Sequence, residues 1–471
     1  MLFNSFEFLL YFPAVCLLYF LLPSLKSRNI WLLIASYYFY MCWEPIYALL
    51  IMGSTLITYF CGRYVEQLKA QPKKQKLILT LSLIVNFGIL FLFKYYNFIN
   101  ESIYALLDML HVRWEVPNLT ILLPVGISFY TFQAVGYTID IYRGKLAAEK
   151  NFITYALFVS FFPQLVAGPI ERATNLLPQF HKKHLFNYQN AIEGIKLMLW
   201  GFFMKLCIGD MLSDYVDAVY NNVPNHNGTS FILATIFFTF QIYCDFGGYS
   251  NIAIGAAKFM GFNLMENFHR PYFAYSIKDF WRRWHISLSS WFADYVYIPL
   301  GGNRVKQGRH LFNLFITFLV SGIWHGANWT FVLWGALHGT YQIAENLFRK
   351  YIYNPMQTSW WSKAFSMLCC FTMVAFAWIF FRANTVHDAF DIIHKIFTDH
   401  GPIFIDKSVF VNGFLGLTIL LLKDFKDEFG WKLNFMHSKW GIVRYASVVG
   451  IICYILLFGA LSGGSFLYFQ F

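Results

Sequence analysis

Charge is scarce in this sequence. Lys, Arg, Asp and Glu make up 13% of the 471 residues, against 58% hydrophobic residues and a mean hydropathy of +0.47. A soluble domain carries about a quarter of its residues charged, so the shortage excludes a sizeable soluble domain and leaves a polytopic membrane protein. Cysteine is sparse as well. The eight cysteines form no C-x-x-C spacing, and Cys369 and Cys370 are adjacent, which excludes a disulfide framework or a zinc site. We read all eight as packing residues and expect no metal. No G-x-S-x-G elbow, P-loop, H-E-x-x-H or glycine-rich dinucleotide turn occurs, so serine-hydrolase, nucleotide-binding and zinc-protease chemistry lack their usual marks. No low-complexity linker and no internal repeat of about 20–50 residues divides the chain. We expect a single domain over 1–471, with 461–471 as an aromatic tail.

What is present fits a membrane. Aromatic residues reach 21%, a composition suited to lipid-facing surfaces and interfacial belts. The net charge of +11 lies mostly in short segments between apolar runs. That distribution orients helices and meets anionic lipid headgroups, and it argues against nucleic acid. The first apolar run, Phe6–Leu22, has no basic residue before it and Lys26 and Arg28 after it. It therefore reads as a retained span with its amino end outside rather than a signal peptide.

A helix needs about 20 apolar residues to cross the hydrocarbon. Candidate spans are 6–22, 30–43, 45–61, 77–98, 119–141, 190–219, 229–250, 363–381, 409–422 and 442–461. The segment 63–76 has five basic residues and one acid, and 99–118 has three acids and one Arg; the first is expected in the cytoplasm and the second outside. Basic residues flank 152–166 on both sides (Arg143, Lys145 and Lys150 before, Arg172, Lys182 and Lys183 after). We therefore expect a re-entrant segment, broken near Pro163 and Gln164 and shaped with Pro169. Segment 263–310, with seven basic residues and three acids, is again cytoplasmic. From there 311–324 would climb only about 21 Å to the turn "WHGANW", and 329–347 would descend. The expected fold is an all-α helical bundle of about 10–12 membrane helices with re-entrant segments, both termini outside.

That turn places His325 at membrane depth, where an ionisable residue is a functional candidate by default. The alternative is a neutral histidine acting as interhelical glue. Burial favours the neutral imidazole, which is ready to take a proton from a hydroxyl attacking an acyl carbonyl. His285 lies in "DFWRRWHISLSSWFADYVYIPLGGNR" (279–304). As one helix, this stretch would put Trp281, His285, Leu288 and Phe292 on one face, an interfacial anchor or a site. Trp281, Arg282 and Arg283 are candidates for binding a donor's phosphates, or equally lipid headgroups. His338 is read as structural glue. Asp245 is read as a helix cap or a partner for a buried cation, the cap being the plainer reading. Gln164 is read as part of the re-entrant turn.

At these residues the sequence resembles the bacterial branch of the membrane-bound O-acyltransferases, of the alginate O-acetyltransferase type. The matching stretches are "FFPQLVAGPIER" (161–172), "YCDFGGYSNIAIG" (243–255), "ENFHRPYFAYSIKDFWRRWHISLSSWFADYVYIPLGGNR" (266–304), "SGIWHGANWTFVLWGALHG" (321–339) and "WIFFRA" (378–383). With the opening "MLFNSFEFLLYF", they spread over nearly the whole chain. The resemblance implies a central tunnel and an active-site histidine falling on His325. It implies a second functional position, often Asn in the wider superfamily, on His285. It also implies cell-envelope polysaccharide or peptidoglycan acetylation in a bacterial inner membrane, beside an external transferase, with acetyl-CoA as co-substrate and no bound cofactor. The sequence ends "SGGSFLYFQF", and Phe466–Phe469 resemble a terminal tyrosine motif of related envelope systems, making Tyr468 a candidate acyl relay. D-alanyl transfer toward teichoic acid is the alternative within the family. A transporter, or a structural anchor for an external enzyme, is the alternative outside it.

Overall fold

The computed structural model describes residues 1–166, 168–351, 359–404, 407–431, 435–461 and 467. The described residues contain helices and no strand. In chain order the helices are α1 (Phe6–Leu21), α2 (Leu25–Met41), α3 (Ala48–Gln67), α4 (Pro72–Leu90), α5 (Tyr96–Met109), α6 (Ile127–Tyr142), α7 (Phe152–Ser160), α8 (Phe162–Leu165), α9 (Ala173–Phe180) and α10 (Tyr188–Met204). They continue as α11 (Asp210–Tyr220), α12 (Gly228–Phe259), α13 (Ile277–Arg283), α14 (Ile286–Phe292), α15 (Gln307–His325), α16 (Trp329–Tyr351), α17 (Trp360–Arg382), α18 (Val386–Thr398), α19 (Lys407–Glu428) and α20 (Gly441–Phe458). Short π-helical turns at Phe91–Tyr95, Lys205–Gly209 and Ala293–Tyr297 adjoin α4, α10 and α14. The helices divide into two compact units, one of residues 1–195 and 253–265 and the other of 196–252 and 266–471.

The sequence starts several helices in the same way. Ser5, Ser24, Ser276, Ser359 and Thr385 stand in extended backbone and accept a hydrogen bond from a backbone N–H of the first turn. Each satisfies one of the N–H groups that a helix start leaves without an internal partner. Among the described residues, five helical stretches are long and apolar enough to cross a membrane: Pro45–Gln67, Pro72–Met109, Gly228–Phe259, Trp360–Arg382 and Gly441–Phe458. Bulky apolar side chains stand outward on them and their neighbours; Ile442 is 85% exposed and Trp361 77%. Such surfaces are stable against hydrocarbon, not water.

In the first unit, the expected break in the helix is present. It falls at Phe161, between α7 and α8, two residues before Pro163. The carbonyl of Phe158 is left without its helical donor there, and the buried amides of Gln164 and Gln133 donate to it at 2.8 and 2.5 Å. This is how a broken helix survives away from water.

In the second unit, α15 begins four residues before the expected 311 and ends on His325. It packs closely on α16. A Cβ on Gly322 would come within 2.8 Å of Gly335 Cα, and one on Gly335 within 2.6 Å of the Phe318 carbonyl. Two backbones can approach this closely only where both residues lack a side chain.

The stretch 279–304 is not one helix. It breaks at Trp284–His285, where His285 adopts a left-handed conformation with φ +43°. The shared face expected for Trp281, His285, Leu288 and Phe292 therefore does not exist. Periodicity misled here because the break is imposed by a distant partner, Asn267.

Candidate active site

His285 is completely buried. Asn267 holds it: the Asn267 side-chain oxygen lies 3.0 Å from His285 Nδ1 and also accepts from Ser287 Oγ at 2.9 Å. The Asn267 amide nitrogen donates to Ser250 Oγ on α12, which fixes the oxygen toward the histidine. An amide oxygen only accepts, so Nδ1 carries the proton and Nε2 is the basic atom of the neutral ring. Two backbone hydrogen bonds, Ile286 N–H to Asn267 O and His269 N–H to Arg283 O, clamp segment 267–269 along the break. Asn267 thus serves as the N-terminal cap that α14 cannot draw from His285 itself. Helices α13 and α14 have seven residues each and cannot span a membrane. Burial pushes the His285 imidazole pKa down to about 3.

His325 closes α15, 3% exposed. Trp324, Trp334 and Phe381 surround it with ring centroids at 5.0, 5.0 and 5.4 Å. Trp324 also meets His285 at 6.3 Å, so a single indole stands between the two histidines. On the other side, Trp334 lies 4.8 Å from His338. Trp281 N–H donates to His338 Nδ1 at 3.3 Å. An indole N–H only donates, so the neutral His338 ring carries its proton on Nε2. The structure therefore gathers Trp281, His285, His325 and His338, which span 58 positions of sequence, into one aromatic cluster. Within it, the N–H groups of Trp284, Trp334 and Trp378 are buried and have no hydrogen-bond partner among the described residues. These are donors without acceptors.

A cavity of about 370 Å³ abuts this cluster, lined by Trp281, Arg282, Ser289, Phe318 and Ser321 among others. Ser321 precedes His325 by one helical turn on α15, the spacing that puts two side chains on the same face. Arg282 is exposed at the cavity, together with Lys278. Arg283 lies elsewhere, in ion pairs with Glu428 at 2.9 Å and Asp279 at 3.1 Å. The pairing of Arg282 and Arg283 as two phosphate ligands thus divides into one cavity residue and one structural residue.

Asp245 is in the middle of α12 and caps nothing. Its carboxylate meets Lys205 Nζ, which also binds Asp210 at 2.6 Å; all three are buried. Tyr468 lies outside the described residues. Sequence reasoning missed Asn267 and Lys205. The first is an ordinary-looking Asn before "FHRP", but a lysine inside an apolar run was a visible signal. Among the described residues, no group of His, Cys, Asp and Glu is placed to hold a metal ion.

A buried histidine cluster thus stands beside a cavity, in a chain with helices apolar enough to cross a membrane. The profile of the membrane-bound O-acyltransferase family matches residues 145–381. A probable alginate O-acetylase of Azotobacter vinelandii is 39% identical over 84% of this chain and 78% of its own length. A peptidoglycan O-acetyltransferase of Helicobacter pylori is 33% identical over 97% of this chain and 88% of its own. A teichoic acid D-alanyltransferase of Bacillus subtilis is 27% identical over 56% and 69%. The chain belongs to the membrane-bound O-acyltransferase family.

Proposed function

We propose that this enzyme moves an acetyl group from a cytoplasmic thioester, acetyl-CoA, across a bacterial inner membrane for O-acetylation of a cell-envelope polysaccharide or peptidoglycan. The observation that carries this reading is the burial of His325 one helical turn past Ser321, which lines the cavity that holds Arg282 and Lys278. The donor's thioester enters from that cavity, with Arg282 and Lys278 on its phosphates and Trp281 on its apolar arm. His325 removes the proton from the attacking hydroxyl, and a neutral imidazole in a dry site suits that role. The negative charge that develops on the carbonyl oxygen meets indole N–H donors such as that of Trp334. His285, fixed by Asn267 with Nε2 basic, serves the second proton transfer.

The first acceptor is Tyr468. A thiol leaving group has a pKa near about 8.5, a phenol about 10 and a sugar hydroxyl higher. Acetyl therefore passes downhill from thioester to tyrosyl ester to sugar, the last step assisted by an external acetyltransferase. The termini face outside. D-alanyl transfer to teichoic acid is the second reading, supported by the more distant likeness to alanyltransferases.

The test is mass spectrometry of purified protein after incubation with acetyl-CoA. Acetylation of the 462–471 peptide, lost in His325→Ala and in Tyr468→Phe, is the expected result. Loading by an aminoacyl carrier protein and not by acetyl-CoA would overturn the acetyl reading.

A further inference from the structure

Lys205 belongs to the π-helical turn that joins α10 to α11, and it is 0% exposed. Glycines bring this turn against α12. A Cβ on Gly201 would come within 2.6 Å of the Gly248 carbonyl, and one on Gly248 within 2.7 Å of the Gly201 carbonyl. Gly209, one turn past Lys205, similarly leaves room for the backbone of Asp245 at 3.0 Å. Lys205 therefore reaches both Asp210 on α11 and Asp245 on α12. The cluster holds two carboxylates for one ammonium, an arrangement that calls for a further hydrogen-bond donor when buried.

That donor is in the chain's own C-terminal segment. After α20, Ala460 N–H donates to the Leu206 carbonyl on the same π turn at 3.0 Å. Leu467, buried at 5% exposure, donates its backbone N–H to Asp245 Oδ2 at 2.9 Å. The two oxygens of Asp245 are thus divided, one on Lys205 and one on the tail. Nothing in the proton transfers proposed above uses this cluster.

We infer that the Lys205–Asp210–Asp245 cluster is a docking site for the C-terminal segment, with Asp245 as the positioning residue that holds Leu467 and so sets where the next residue, Tyr468, is delivered. The docking stands on the hydrogen bonds; its consequence for catalysis rests on the relay reading of Tyr468. Recognition is through a backbone N–H, so it depends on the amide of residue 467. Leucine supplies apolar burial, and proline at this position has no N–H to give.

The experiment uses the full chain in detergent, with the exposed Cys42, Cys369 and Cys453 replaced by Ser and Gln470→Cys added as a reporter. The rate of maleimide labelling reads how often the tail leaves its site, since a released segment is open to reagent far more of the time. Leu467→Pro, which leaves the Lys205–Asp245 pair untouched, is expected to raise the rate about ten-fold or more. Leu467→Met, which keeps the N–H and the apolar bulk, is expected to match the parent. Asp245→Asn is expected to follow Leu467→Pro, because an NH2 group that only donates replaces one of the two oxygens, and Lys205 and Leu467 are held by different oxygens. Equal labelling of the Pro and Met variants would overturn the docking site, whatever the Asn variant does. Acetylation of Tyr468 is measured in the same samples. Fast labelling of the Pro variant with no acetyl adduct on the parent removes the relay and leaves the dock. An adduct with equal labelling removes the dock and leaves the relay.

Discussion

At the scale of the residue, His285 and His325 differ in what holds them. His325 sits at a helix end among rings, and His285 is gripped by an amide in a backbone conformation that most side chains avoid. A φ of +43° favours Asn and His over other non-glycine residues. We therefore expect His285→Asn to fold and retain residual transfer. His285→Val should fold poorly, because a β-branched residue in that region costs on the order of 1–3 kcal/mol. Thermal unfolding in detergent beside acetyl-transfer assays checks both. His325→Ala should lower acetyl transfer about 10²–10⁴-fold, the range a positioned base contributes, with unfolding temperature changed little. Activity within two-fold of wild type would exclude His325 as the base. The burial of His325 was legible from the sequence because it lies in a short turn between two apolar runs. The grip of Asn267 was not, because a hydrogen bond across 18 positions leaves no periodic trace.

At the scale of the element, the α15–α16 hairpin sets the position of His325, which ends α15. Its sequence shows the turn and both helices, since "WHGANW" interrupts two apolar runs. It also shows small residues, but not that Gly322 and Gly335 meet across the interface. Gly335→Leu should drive the helices apart at that contact and displace His325 from Trp334. Overpacking of this kind costs about 1–3 kcal/mol, so the variant should assemble in membranes yet lose most transfer activity. Normal activity in Gly335→Leu would mean that the close approach does not govern the site. The element that periodicity misjudged is 279–304. Its apolar spacing satisfies a helix on either side of Trp284, and only tertiary contacts decide that the helix is cut there. Legibility thus tracks range. Apolar runs and their charged flanks are local and readable, whereas helix junctions set by partners tens of residues away are not.

At the scale of the whole molecule, His285 and Glu428 each contribute to the pH dependence of stability. The buried imidazole of His285 stays neutral down to about pH 3, but in the unfolded chain it protonates near pH 6.5. Its contribution is therefore complete above about pH 6.5 and declines as pH falls below it, because the unfolded state then binds the extra proton. Glu428 acts lower. It closes α19, where a helix end disfavours negative charge, and burial opposes its ionisation too. Hydrogen bonds from Arg270 and Arg283 outweigh that and hold its carboxyl below the usual range. Its stabilising effect is present above about pH 4.3, the unfolded value, and is lost as pH falls through the folded one. Each group alone gives a limiting slope of about 1.4 kcal/mol per pH unit. Stability of the detergent-solubilised protein, followed from about pH 8 to about pH 3.5, should fall as pH falls. His285→Asn should make the decline below about pH 6.5 shallower, and Glu428→Gln the decline below about pH 4.5. An unchanged slope below about pH 6.5 in His285→Asn would mean that this imidazole charges as readily folded as unfolded. A ring that charges readily is not held neutral by burial, and its role as the second base would fail with that finding.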